Sequence, residues 1–277
     1  MAAIDAMDAH PAHSTAHKVL LGTGVLWFLV AVVGQIMFAA HVALFYGGKA
    51  LDGDIAAINK RLINGFLDGD LAGNIVLLLH LVFAFVITLG GPLQLVPQIR
   101  AHAPRFHHWN GRIYLVAAVI MALGGIHMVW TRGVLGSFVN HFGITLNGFF
   151  ILVFAAFAVR HAIAREIDTH RRWALRLFLA VSGVWFLRVG YMAWIIANQA
   201  PVGMTENLDG PFDTFNVFAS FLLPLAVLEL YFKAQDSDRP TPKLAMAGAM
   251  LVLTAVTALG VFGTGAIMWR KDFAPFF

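Results

Sequence analysis

The sequence predicts an all-α fold, a polytopic membrane helix bundle of about seven transmembrane helices with the N-terminus inside. Composition carries the first part of that expectation. Of 277 residues, 59% are hydrophobic and 12% charged, beyond the apolar share and below the charged share of a soluble domain, and mean hydropathy is +0.76. Periodic apolar runs carry the second. Stretches long enough to cross a hydrocarbon core of about 30 Å occur at 19–46, 71–96, 111–131, 144–160, 173–197, 214–234 and 244–269. The third is charge asymmetry. Counting Lys and Arg on alternate sides of these runs gives eleven, from Lys18 through Lys243, against six. The positive-inside bias then places the N-terminus in the cytoplasm and the acidic loop Asn198–Asp213 outside, in a bacterial inner membrane.

Residues 1–18 read as an N-terminal tail and 19–277 as a single transmembrane bundle. The tail has two aspartates and no basic residue before Lys18, and the apolar run after it exceeds a signal-peptide core, so it reads as an uncleaved anchor. His10, His13 and His17 have the spacing of a solvated segment, with loose metal binding as the alternative. Between the first two runs, Ile55, Ile58, Leu62 and Phe66 recur at helical spacing, which predicts an interfacial helix over about 55–66 on the outer surface. Gly90-Gly91-Pro92 interrupts the second run near its cytoplasmic end, where proline removes a backbone donor and favours a kink.

Two cytoplasmic turns are alike. His107-His108-Trp109-Asn110-Gly111-Arg112 opens the third run and His170-Arg171-Arg172-Trp173-Ala174-Leu175-Arg176 opens the fifth, each placing Arg three residues after Trp. They suggest a weak parallel repeat. Interfacial tryptophan with a snorkelling cation explains the same pattern. The run GPLQLVPQIRAHAPRFHHWNGRIYLVA (Gly91–Ala117) followed by HRRWALR (His170–Arg176) resembles the bacterial family of predicted membrane proteins known as domain of unknown function 2306. The resemblance spans about 71–195. It implies a multi-span helical membrane protein and carries no activity with it.

Function must then be sought in polar side chains at membrane depth. His80, His127 and Arg188 each lie fifteen or sixteen residues from the same predicted face, about 24 Å along a helix. Ionisable groups at such depth normally face a bundle interior or a ligand. Gly73, Ala84 and Gly91 share a face with His80, and Gly124 lies one turn before His127. Small residues there would admit a flat macrocycle, and neutral imidazole ligates haem iron; they equally let helices approach while histidine bonds across the interface. Proton or solute passage is a third possibility. Arg188 requires an anion or several acceptors: a haem propionate, an acidic lipid or a carboxylate ligand would serve, with backbone carbonyls or water as the structural alternative. Glu229 matches the depth of Arg176, predicting an ion pair between the fifth and sixth spans.

The leading expectation is a haem b-binding electron-transfer or redox subunit with His80 and His127 as axial ligands and Arg188 toward a propionate. Copper on the same two imidazoles is an alternative metal. His108 and His170 suggest a second level of cofactor binding beside Arg112 and Arg171. That layout resembles two-haem cytochrome b-type transmembrane reductases without their repeated histidine spacing. The competing expectation is a cofactor-free accessory or structural subunit of a larger membrane complex or homo-oligomer, or a lipid-binding protein. For that reading Gly260, Gly263 and Gly265 supply a close-packing face for a partner. His41 and His141 read as interfacial hydrogen-bonders near the outer ends of their spans.

Other chemistries lack residues. The absence of cysteine removes disulfides, thiolate metal sites and cysteine nucleophiles. Gly22-Thr23-Gly24 lies inside an apolar run, so it makes no phosphate loop, and neither H-E-x-x-H nor G-x-S-x-G occurs. The net charge of +4 concentrates in inter-helix loops and reports orientation, so nucleic acid is not an expected partner; membrane lipids are.

Overall fold

A computed structural model describes residues 14–62, 64–133 and 136–274. Within it the apolar runs become helices: α1 (Thr15–His41), a short α2 (Gly48–Leu51), α3 (Leu71–Leu95), a short α4 (Pro97–His102), α5 (Pro104–Thr131), α6 (Phe138–Ile163), α7 (Ile167–Val181), α8 (Gly183–Asn198), α9 (Pro211–Asp236), α10 (Pro240–Gly263) and a short α11 (Arg270–Phe273). Among the described residues six helical stretches are long and apolar enough to cross a membrane, and α7 with α8, bent by 56° at their junction, meets the same test as a pair. The protein is a polytopic helical bundle. Valine, leucine and isoleucine side chains such as Val25, Leu29, Val33, Val82 and Val252 are exposed on its flank, where lipid replaces water as their solvent. His10, His13 and the last three residues lie outside the described residues.

Local chemistry sets the ends. Ser14 caps α1 by accepting from the His17 N–H, Asp70 caps α3 by accepting from Gly73, and Ser137 caps α6 by accepting from Asn140. Proline stands in the first turn of α4, α5, α9 and α10, where its missing donor costs nothing. α3 continues through Pro92 to Leu95. Beside that proline, Asn110 Nδ2 donates to the Gly90 carbonyl at 2.9 Å and Gln94 Nε2 to the His107 carbonyl at 3.2 Å.

The break in the fifth span lets one span serve two packing centres. One centre joins α3, α5, α6 and α7 through residues such as Ile87, Ala118, Ile151 and Leu177. The other joins α1, α8 and α10 through Phe38, Trp185, Val189 and Val261, with Ile58 and Trp269 added from outside those helices. At the break, Gln35 Nε2 donates to Ser182 Oγ at 3.0 Å and Asn147 Nδ2 to the Ala180 carbonyl at 3.1 Å. Side chains from α1 and α6 thus bond groups at the interruption, as an apolar surround demands.

Three expectations require correction. The interfacial α-helix at 55–66 is instead a single 3-10 segment, Ile55–Lys60. Asn59 closes the following turn by accepting from the Phe66 N–H and donating to its carbonyl, and Asn64 takes a left-handed backbone with φ of 53°. Ile58 is fully buried in the α1–α8–α10 centre, so the stripe plugs the bundle instead of lying on lipid. Second, the fifth apolar run, 173–197, is divided between two helices, α7 and α8. Third, the glycines of the last span face inward. A Cβ at Gly260 would collide with the Val189 carbonyl of α8, one at Gly263 would sit 2.7 Å from Ile196 Cδ1, and one at Gly265 would strike Met37 of α1. Close approach is used within the chain, not kept for a partner.

Candidate functional site

The structure places the expected residues at separate points. His80 on α3 packs against α5: its Nδ1 lies 3.9 Å from where a Cβ on Gly124 would stand, and its Cε1 3.7 Å from the corresponding point on Gly125. That nitrogen is enclosed and has no hydrogen-bond partner among the described residues. The small residues are spent on bringing imidazole and helix into contact. His127 lies on an exposed side of α5, near enough to Asp70 for electrostatic interaction. Axial ligation by two imidazoles needs both nitrogens aimed into one gap; His80 Nδ1 faces Gly124 on α5, and His127 is exposed on that helix. Among the described residues no group of three or more His, Asp or Glu could hold a metal ion.

At the second expected level, His107 lies near enough to both His108 and His170 for electrostatic interaction. His108 is exposed beside His107, with ring centroids 5.9 Å apart. His170 turns its Nδ1 to the Ala158 carbonyl of α6 at 2.8 Å, bracing α7 against its neighbour. The two similar turns do share local geometry: the Arg112 guanidinium lies 5.1 Å from the Trp109 ring centre and that of Arg176 4.6 Å from Trp173. Arg176 also pairs with Glu229 through both carboxylate oxygens, at 2.7 and 2.9 Å, the ion pair expected from matched depth.

Arg188 leads to a different site. It reaches the end of the bundle where α1 gives way to a π-helical segment, Val42–Gly47, and α10 to another, Thr264–Met268. Such wide turns are frequent at functional sites. Between them lies a cleft of about 330 Å³ lined by His41, Tyr46, Arg61, Arg188, Met268 and Trp269. His41 is buried, with Nδ1 2.8 Å from Asp272 Oδ2, while Arg61 reaches the other carboxylate oxygen at 2.9 Å. The Trp269 ring stacks on the His41 imidazole at 5.0 Å between centroids and 8° between planes. Phe38 packs beside both rings, 5.7 Å from Trp269 and 6.4 Å from His41.

Charge around the cleft does not cancel. Asp272 answers Arg61, whereas Arg188 has no carboxylate within ion-pair distance among the described residues. Its Nη1 donates to the Val184 carbonyl one turn back at 2.9 Å, and its guanidinium lies 5.1 Å from the centre of the Phe38 ring. These contacts position the cation without neutralising it. The two guanidinium groups of Arg61 and Arg188 outnumber the one carboxylate of Asp272 beside a cleft walled by aromatic rings. In such surroundings an anion is bound more strongly than in water.

The matched segment of known families falls across this region. Residues 77–208 match the family model described as Predicted membrane protein (DUF2306). No curated protein matches the chain, and no solved structure does. The DUF2306 segment contains the broken span, His80, His127 and Arg188, but His41, Tyr46, Arg61, Trp269 and Asp272 lie outside it. The cleft is therefore assembled from the DUF2306 segment and from the helices that flank it.

Of the answers the sequence offers Arg188, the structure shows a backbone carbonyl, that of Val184; the residues around the cleft were not legible. Asp272 lies beyond the last apolar run and Arg61 in the longest inter-span link, so depth counting along helices could not bring either to His41. Also missed was Arg132, whose side chain bonds Asp70 Oδ2, Asn74 Oδ1 at 2.9 Å and the Gly65 carbonyl. Its hydrogen bond, with a second from the Gly73 N–H, holds the Asp70 carboxyl below the usual carboxylate range. The His141 ring meets the edge of Trp130 at 6.1 Å between centroids.

Proposed function

We propose that this membrane protein binds a monoanionic ligand in the cleft between Arg188, Arg61, His41 and Tyr46. One observation carries the reading: a permanently charged guanidinium lines a cavity within an aromatic wall and has no carboxylate partner among the described residues. An arginine fork matches carboxylate and phosphate oxygens, and Tyr46 adds a hydroxyl to the same lining. The His41–Asp272–Arg61 contacts hold one side of the cleft in place. On the positive-inside count the cleft belongs to the outer side of the membrane. The electron-transfer reading rests on the enclosed Nδ1 of His80, which has no hydrogen-bond partner among the described residues.

Titration of the purified full chain in neutral detergent with acetate and with inorganic phosphate tests the proposal, read by tryptophan fluorescence, to which Trp269 in the cleft wall contributes. Saturable binding should weaken about tenfold or more in Arg188→Leu, the loss of a charged hydrogen bond of about 1.5–3 kcal/mol, and recover in part in Arg188→Lys. Equal binding by the Leu variant, or no saturable response to either anion, would overturn it.

A further inference from the structure

Where α10 passes into its π-helical segment, the flank of the bundle carries a second hollow that shares no lining residue with the cleft. It is a groove of about 790 Å³ between Met37 of α1, Val261, Phe262 and Ala266 of the α10 stretch, and Arg270 and Phe273 of α11. Phe262 is as exposed as Val252 on the same helix, 65% against 64%, so the groove opens to the lipid around the flank. The widened turn shapes its floor: Gly265 in the π-helical segment has no side chain, and a Cβ there would strike the Met37 methyl group.

The turn that ends the groove sorts its side chains to two sides. Trp269 and Asp272, three residues apart, face inward, the indole on the His41 ring and the carboxylate on His41 and Arg61. Arg270 and Phe273, also three apart, line the groove. The inward contacts therefore fix where the outward pair stands. Arg270 and Lys271 are exposed, and neither makes an ion pair among the described residues, Asp272 being held by His41 and Arg61. The stretch Pro240–Met268 is apolar enough to cross a membrane, so Arg270, two residues beyond it, stands at the depth of lipid headgroups.

We infer that the groove is a site for one anionic phospholipid, a phosphatidylglycerol, with an acyl chain against Met37, Phe262 and Ala266 and its phosphate on Arg270 and Lys271. Headgroup charge selects the class. Other lipid tails solvate an acyl chain as well as apolar side chains do, so the groove sets where a chain lies and not which lipid supplies it. The guanidinium fork matches phosphate oxygens. Two cations without a carboxylate of their own favour a net negative headgroup over a zwitterionic one, by about fivefold for each basic residue at a membrane surface. Chain and headgroup both stay on the flank, and the site is independent of the Arg188 cleft.

The test is native mass spectrometry of the full chain, stripped of lipid in neutral detergent and titrated with phosphatidylglycerol or with phosphatidylcholine of the same chains. The first phosphatidylglycerol should bind about tenfold or more tightly than the first phosphatidylcholine. Arg270→Gln should weaken phosphatidylglycerol by about fivefold, and Arg270→Gln with Lys271→Gln should bring it to the level of phosphatidylcholine. Ala266→Trp, at an exposed groove position, should weaken both lipids, and Arg188→Leu should weaken neither. Equal binding of the two lipids by the wild type, or a preference that survives the double substitution, would overturn the inference. Undiminished binding in Ala266→Trp would take the chain out of the groove, and loss of the preference in Arg188→Leu would move the headgroup to the cleft; either result also overturns it. A lipid-free dimer that Ala266→Trp splits would give the groove to a second copy of the chain instead.

Discussion

Arg176 and Glu229 meet in a two-pronged ion pair whose carboxylate is about half exposed and whose guanidinium is largely covered, between the small worth of surface pairs and the large cost of breaking buried ones. Arg176→Ala and Glu229→Gln should each destabilise the fold by about 1–2 kcal/mol. The double variant should lose less than their sum in chemical-denaturation midpoints; strict additivity would show that the two do not interact. This pair was legible because antiparallel neighbours put residues at equal depth side by side. The answer to Arg188 was not, because Phe38, Tyr46 and Met268 come from two other helices whose packing angles no residue count contains. At the membrane boundary, Arg132 makes a prediction about pH. Its hydrogen bond depresses the Asp70 pKa, so the clasp's stability is present above the unfolded carboxylate value of about 3.9. It is lost as pH falls through the lower folded value. Melting temperature should therefore drop more steeply below pH 4 in the wild type than in Asp70→Asn, and parallel curves would remove Asp70 from the acid response.

Elements in this bundle are positioned by what their small residues let in. Gly260 places α10 against the α8 backbone, since a Cβ there would meet the Val189 carbonyl oxygen, whereas nothing lies within 4 Å of a Cβ at Gly248 on the same helix. Gly260→Ala should destabilise by about 1–3 kcal/mol through overpacking, and Gly248→Ala should be neutral or slightly stabilising through its higher helix propensity. The contrast is read in thermal unfolding of the two purified variants, and equal midpoints would show that α8 and α10 are not held at contact by Gly260. The sequence shows that these glycines pack; which helix they pack against depends on the order of spans around the bundle. The 55–66 stretch teaches the complementary point. Its apolar spacing was genuine, for Ile55, Ile58 and Leu62 all pack on the α1–α8–α10 centre. The helical period alone, however, does not distinguish a lipid-facing stripe from a plug.

At the scale of the molecule, the broken fifth span joins two packing centres, α7 to α3, α5 and α6, and α8 to α1 and α10, and α3 reaches both through Ile87 and Leu81. Span number and order were legible because hydropathy measures a membrane thickness; the division into two centres was not, since Val181-Ser182-Gly183 sits inside a continuous apolar run. The bend also brings Arg188, on α8, to the end of the bundle where the cleft opens. The side of the membrane on which that cleft faces is an expectation from the positive-inside bias. Lys18, Arg100, Arg105, Arg160, Arg171 and Lys243 share one end, while the 198–210 link at the other end contains no Lys or Arg. That link is ordered by Asp213, which accepts from the Thr205 and Gly210 N–H groups, and by Trp194 stacked on Phe212. A reporter should therefore be inserted away from those contacts, after Asn207, and compared with one placed between Asp236 and Asp238. The expected reading is outside for the first and cytoplasmic for the second, with α9 crossing between them. The reverse pair would turn the bundle over, leave its internal contacts untouched, and present the Arg188 cleft to cytoplasmic rather than external ligands.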